Sequence, residues 1–232
     1  MGLYSLGFGV AAGALAQVFP EFADTCQQFR PNGAANPTDP ANQIGTVTAL
    51  FDTAPDFKFR TPSQFGKPQW YGLFDFSATQ AGDYLVGAKA TWFVAAIEAI
   101  HPPLCIRCNR RVLTITRAAG NDAQAQGGPR GYGGRIVAPS LAEAAAGLAE
   151  TPLMTGWPAS VLLGTKGESA PVSGRLPTDT RSPWWKVLLP AVPGVTLSNT
   201  DRMTDDLGRA YIISAAELTA LGWSITAMEA IV

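Results

Sequence analysis

Two stretches of this chain, GDYLVGAKATWFVAAIEAIHP from Gly82 and TDRMTDDLGRAYIISAAELTALGW from Thr200, follow one plan. Each sets an Asp before a short apolar pair, turns on small polar residues, and returns through an aromatic residue, a run of β-formers and a Glu. Aligned, Asp83 falls on Asp201, Leu85 on Met203, Trp92 on Tyr211, Phe93 on Ile212 and Val94 on Ile213. Ala96 then meets Ala215 and Glu98 meets Glu217, one extra residue around Asp205, Asp206, Leu207 and Gly208 absorbing the offset. The flanks agree: PQWYGLF (68–74) parallels PWWKVLL (183–189), and further back TVTALF (46–51) parallels ASVLLG (159–164). Blocks in the same order with similar gaps point to a duplicated unit, so whatever core one copy closes the other must close as well.

The blocks are short runs of β-branched and aromatic residues bounded by Gly, Pro, Asp and Ser, the pattern of strands and not of helices. In the second copy a hairpin is expected, with a strand over 201–204, a turn over 205–208 carrying Gly208 at positive φ, and a strand over 211–214. The run RVLTITR (111–117) alternates Arg, Leu, Ile and Arg against Val, Thr and Thr, as a half-buried strand does. Short strands at this spacing predict a mainly β fold of two tandem duplicated small β-barrel or sandwich units, closed so that few edges are left open. Short flanking helices and long Gly/Pro-rich loops complete the expectation. The first unit is placed at 1–117, with an N-terminal helix and an extended loop; a Gly-rich linker follows at 118–139, and a short helix with the second unit at 140–232.

The apolar opening from Leu3 to Val18 lacks the basic start of a secretory signal, so it is read as a helix. Its small residues, Gly9, Ala11, Ala12, Gly13 and Ala14, permit close packing; it is short for a membrane span. Ser140 with Glu143 forms a capping box for the second helix. A further irregular stretch, RPNGAANPTDPANQI (30–44), matches the linker in character, and both favour contacts made through extended segments.

Composition narrows the functional classes. The 232 residues carry a net charge of -1 and only 15% charged residues, against about 25% in ordinary soluble domains. No basic stripe for a nucleic-acid groove is present, and a charge-poor exterior fits coverage by other subunits. Three cysteines do not make a complete disulfide framework and point to a reducing compartment. His101 is the sole histidine and has no Gly-x-Ser-x-Gly elbow beside it. His101, Cys105 and Cys108, with Cys26 as a distant fourth, could make a Cys3His zinc site. In an extended strand, however, residues 105 and 108 point to opposite faces.

Glu98 and Glu217 are repeat partners in separate units, so they make no glycosidase pair; they are expected to take backbone N–H bonds at strand ends. Asp83 and Asp201 are expected turn caps. The glycines of 127–135 lack the strand-to-helix setting of a phosphate loop. Arg107, Arg110 and Arg111 read as a solvated edge or a salt-bridge site. Trp70, Trp184 and Trp185 read as core anchors. No catalytic, cofactor-binding or metal residues and no cofactor are therefore assigned.

The phrases TDDLGRAYIISAAELTALGW and GDYLV…TWFVAAIEAIHPPLCIRCNR resemble the small β-barrel proteins of tailed bacteriophages that form the neck between portal and tail or sit in the tail and baseplate. The resemblance covers the two β blocks, about half the chain; such neck proteins typically carry one barrel, and two in tandem are a departure. It implies a non-enzymatic virion protein of the neck or tail, assembled in the host cytoplasm. As a homo-oligomeric ring or collar it would meet portal or adaptor, tail-tube or fibre proteins, with no membrane and nucleic acid at most passing through. The alternatives are a capsid decoration protein, a tail-fibre or baseplate adaptor, and a small zinc-binding enzyme.

Overall fold

The structure is a computed structural model that describes residues 23–58, 66–98, 101–109, 111–118, 150–164 and 184–230. Twelve strands occupy most of these residues: β1 (Asp24–Phe29), β2 (Gln43–Asp52), β3 (Gln69–Leu73), β4 (Tyr84–Val86), β5 (Thr91–Ala96) and β6 (Leu104–Cys108), then β7 (Arg111–Ala118), β8 (Glu150–Leu163), β9 (Trp184–Leu189), β10 (Arg202–Asp205), β11 (Ala210–Thr219) and β12 (Gly222–Ala230). The one described helix is a 3-10 turn, Pro40–Asn42. The expected helices at 3–18 and from Ser140, and the glycines of 127–135, lie outside the described residues.

The strands close two antiparallel barrels, with ring orders β1-β2-β3-β6-β5-β4 and β10-β11-β12-β9-β8-β7. Read from β7, the second ring runs β7-β8-β9-β12-β11-β10, so the two barrels have one topology. Most of the 30–44 stretch and of the 118–139 stretch falls between equivalent strands in the chain order, 30–42 between β1 and β2 and 119–139 between β7 and β8. Closure leaves no sheet edge open within either ring, and these are barrels, not sandwiches.

The ladders carry the repeat residue by residue. Leu85 lies opposite Trp92, and Met203 opposite Tyr211. The Val94 N–H donates to the Asp83 carbonyl at 2.9 Å, as the Ile213 N–H does to that of Asp201 at 2.9 Å. Both ladders then slip at the same place, between Val94 and Ala96 and between Ile213 and Ala215. Trp70 pairs with Cys105 where Trp185 pairs with Ala227. Gly82 and Thr200, one residue before the paired aspartates, both take positive φ, 96° and 76°. For a β-branched residue that conformation is strained, and the shared turn imposes it.

Two sequence expectations need correction. The ladders equate Ala49 with Ala159 and Phe51 with Val161, whereas the sequence alignment set Phe51 on Gly164. An apolar run fixes which strand repeats but not its register. The expected boundary at 117 also moves, because β7 hydrogen-bonds to β8 and β10 and so belongs to the second barrel. Its alternation identifies a half-buried strand without saying which core it faces; Leu113 and Ile115 face the second.

The first barrel is filled by Cys26, Ala49, Phe74, Leu85, Trp92, Val94 and Cys105. Leu113, Ile115, Trp157, Ala159, Leu189, Met203, Ile213 and Ala227 occupy the second. The barrels meet through the outward face of β4, β5 and β6, whose Tyr84, Phe93, Ala95, Ile106 and Cys108 are continuous with the second core. The Tyr84 ring lies edge-on to Trp157, centroids 6.0 Å apart, and its hydroxyl donates to the Pro158 carbonyl at 2.8 Å. Asn109 locks the junction: its side chain donates to the Val161 carbonyl and accepts from the Val161 N–H.

Candidate functional site

The paired aspartates do more than cap turns. Arg30 donates Nε and Nη2 to the Oδ1 and Oδ2 of Asp83 at 2.9 and 2.8 Å. Nη2 also reaches the Ala78 carbonyl at 2.7 Å, and Asp83 Oδ2 accepts the Gln80 N–H at 2.9 Å. In the second barrel Arg117 binds Asp201 at 2.8 and 2.9 Å and the Thr196 carbonyl at 2.8 Å, while Asp201 takes the Ser198 N–H at 2.8 Å. Each clasp ties the end of the first strand of its barrel to the turn before the fourth. The aspartates were legible as turn residues. Their arginine partners were missed, although in the sequence each follows a run of β-formers and precedes a stretch rich in Gly, Pro, Asn and Ala.

The four candidate zinc ligands are not brought together. Cys26 and Cys105 share the first barrel's interior, Cys108 faces the other way into the junction, and His101 lies exposed with Nε2 3.8 Å from Glu98 Oε2. Burial, and then the charge of Asp24, pushes the Cys26 thiol up to about 12; burial also raises Cys105 and Cys108. Glu98 and Glu217 are both exposed, Glu98 just after β5 of the first barrel and Glu217 on β11 of the second.

The basic cluster divides. Arg111 pairs with the buried Asp205 at 3.2 Å, Arg107 lies over Trp70 and Trp92, and Arg110 lies outside the described residues. Asp205 also accepts the Tyr211 hydroxyl at 2.8 Å, and burial with that bond pushes the Tyr211 phenol up to about 12. Trp70 and Trp185 pack on their cores as expected. Trp184 does not: adjacent strand residues point to opposite faces, so with Trp185 inside it stands outside.

Trp184 belongs to the surface on which the barrels differ most. Met228 pairs directly with Trp184 on one side and Ile212 on the other, making an apolar row across β9, β12 and β11. Ile212, Met228 and Trp184 are 48%, 37% and 40% exposed. Their counterparts in the first barrel are Phe93, Ile106 and Gln69, of which Phe93 and Ile106 are 1% and 3% exposed. The first-barrel face is buried by the second barrel; the same face of the second barrel is uncovered among the described residues. Beside it Arg202 on β10, which takes the place of Tyr84, pairs with Glu150 of β8 at 3.1 Å. An apolar centre with a charged margin is the anatomy of a protein interface.

Comparison with protein-family models, with curated proteins and with solved structures returned no match. The fold and the surfaces above therefore define the protein as a tandem pair of six-stranded β-barrels joined by one buried face.

Proposed function

We propose that the protein is a non-enzymatic structural subunit that binds copies of itself head to tail, forming a ring or collar. The setting is the neck or tail of a tailed-phage particle, where it joins neighbouring rings. What supports that setting is the resemblance of the two β blocks. Self-assembly is carried by the apolar row Trp184–Met228–Ile212, the repeat counterpart of a face that already binds a barrel within the chain.

The occupant follows from the repeat. Within the chain, the outward face of β4–β6 packs on β8. The counterpart of β8 is β2, so the outward face of β10–β12 docks on β2 of a second copy, where Ile44 stands 46% exposed. Such a heterologous contact closes a ring if its rotation closes and makes a filament if it does not. The non-enzymatic reading is supported by the scattering of His101, the thiols and the carboxylates.

Sedimentation velocity of the purified chain tests the assembly. Oligomers are expected for the native sequence and monomers for Ile212→Asp with Met228→Asp, with Leu207→Asp, exposed but in the β10–β11 turn, assembling normally. A native chain monomeric at all concentrations, or a double variant that assembles unchanged, would overturn the reading. Gold labelling of phage particles with an antibody to the protein tests the setting: label at the neck or tail supports it, and label over the capsid or none removes it.

A further inference from the structure

The barrels also differ at a buried indole. In the second barrel Trp185 Nε1 donates to Glu229 Oε2 at 3.1 Å, and Arg209 lies 5.8 Å over the Trp185 ring with Nε 3.9 Å from Glu229 Oε1. Cation, ring and carboxylate neutralise one another there. The ladders place Trp70 at the position of Trp185 and Arg107 at that of Glu229. Arg107 lies 5.8 and 5.6 Å over the rings of Trp70 and Trp92, and Trp70 Nε1 is buried with no partner. The first barrel has kept the ring and a cation and lacks the carboxylate.

Arg107 opens onto a cleft of about 310 Å³ between the barrels, lined also by Lys67, Lys89, Asn109, Ser160 and Leu162. Among the described residues no carboxylate forms an ion pair with Arg107, Lys67 or Lys89. The Asp24 carboxylate accepts the Lys89 backbone N–H at 3.2 Å and forms no ion pair with the Lys89 ammonium among the described residues. The opposite wall holds a second unfilled donor. Trp157, Ala159 and Val161 turn into the second barrel, so Ser160 faces out of it towards the cleft. Ser160 is 1% exposed and its hydroxyl has no partner, an unfavourable state for a buried donor that a ligand would relieve.

Among the described residues, three cations around one cleft have no carboxylate partner and the Ser160 hydroxyl beside them has no acceptor. We propose that this cleft is a binding site for a small oxyanion, a phosphate or a polycarboxylate. Arg107 supplies charge-assisted hydrogen bonds, Lys67 and Lys89 add point charges, and Ser160 donates its hydroxyl. The volume is at the small end of ligand pockets and suits a phosphate ester or a tricarboxylate. The site involves none of the outward row, and so stands or falls separately from self-assembly.

Calorimetric titration of the full chain with inorganic phosphate and, separately, with citrate in low-salt buffer is the test. Saturable binding of at least one is expected, weakened at least tenfold in Arg107→Met and several-fold in Ser160→Ala, and unchanged in Arg209→Met. Phosphate alone binding identifies a phosphate ligand, and citrate alone a polycarboxylate. Absence of saturable binding by either overturns the proposal. So does undiminished binding in Arg107→Met, whose exposed side chain leaves the melting temperature without anion as a check on folding.

Discussion

The two barrels share a topology, a bulge and an Arg–Asp clasp, yet they divide the work of contact. The first turns its β4–β6 face inward onto its neighbour and leaves a cationic cleft beside it. The second sets Glu229 where the first has Arg107, beside a cation of its own, Arg209, and turns its β10–β12 face outward. What duplication preserved is what closes a ring of six strands: turn geometry, strand order and the ties between strand ends. What diverged is what each barrel meets. The interior tolerated the volume-conserving exchange of Leu85 for Met203.

The largest effects are expected at the clasps. Asp201→Ala removes the bidentate carboxylate partner of the mostly buried Arg117, and urea unfolding is expected to show a loss of about 3–5 kcal/mol. Asp83→Ala should cost less, because the Arg30 side chain is more exposed than that of Arg117, 35% against 17%. Equal losses would contradict the ranking by exposure, and no loss in either variant would mean that the clasps do not hold the barrels shut. A smaller effect comes from importing a second-barrel side chain into the first. Gly72 occupies the place of Val187, and a Cβ there would sit 2.5 Å from Phe74 Cε1 and 3.2 Å from Cys105 Sγ. Gly72→Val is expected to destabilise by about 1–3 kcal/mol; an unchanged urea midpoint would show that this core is loosely packed.

The smallest effect is alkaline and touches both barrels. The Cys26 thiol is raised from 9.0 and the Tyr211 phenol from 10.0, each to about 12. Both groups hold their protons more tightly folded than unfolded. Their contribution is therefore complete below about pH 9 and declines as pH rises towards about 12. Urea midpoints at pH 8, 10 and 11 should fall in that order, and Cys26→Ala and Tyr211→Phe should each flatten the decline. A decline unaltered in both variants would assign it to other groups.

The repeat, the β class and the closed units were legible because β-formers between Gly, Pro and Asp breakers report strands directly. Asp83 and Asp201 announced their turns. Pairing across barrels was not legible: the alternation in 111–117 is the same whichever core receives Leu113 and Ile115. Nor was the outward row read, although Tyr211, Ile212 and Ile213 in succession put apolar side chains on both faces of one strand. The adjacent Trp184 and Trp185 say the same, since only one of two neighbours can turn inward. Arg107 gave no sign of its role, because an arginine with no carboxylate nearby is visible only when strands from distant segments are brought together.

Hydroxyl-radical footprinting of the native chain across a dilution series addresses self-assembly most directly, because Met228 and Trp184 are readily oxidised side chains of the outward row. Their labelling should fall as protein concentration rises, while that of Leu207, exposed but away from the row, stays constant. Labelling of Met228 and Trp184 that does not change with concentration, in samples that nonetheless contain oligomers, would place the contact elsewhere and contradict the repeat-based interface.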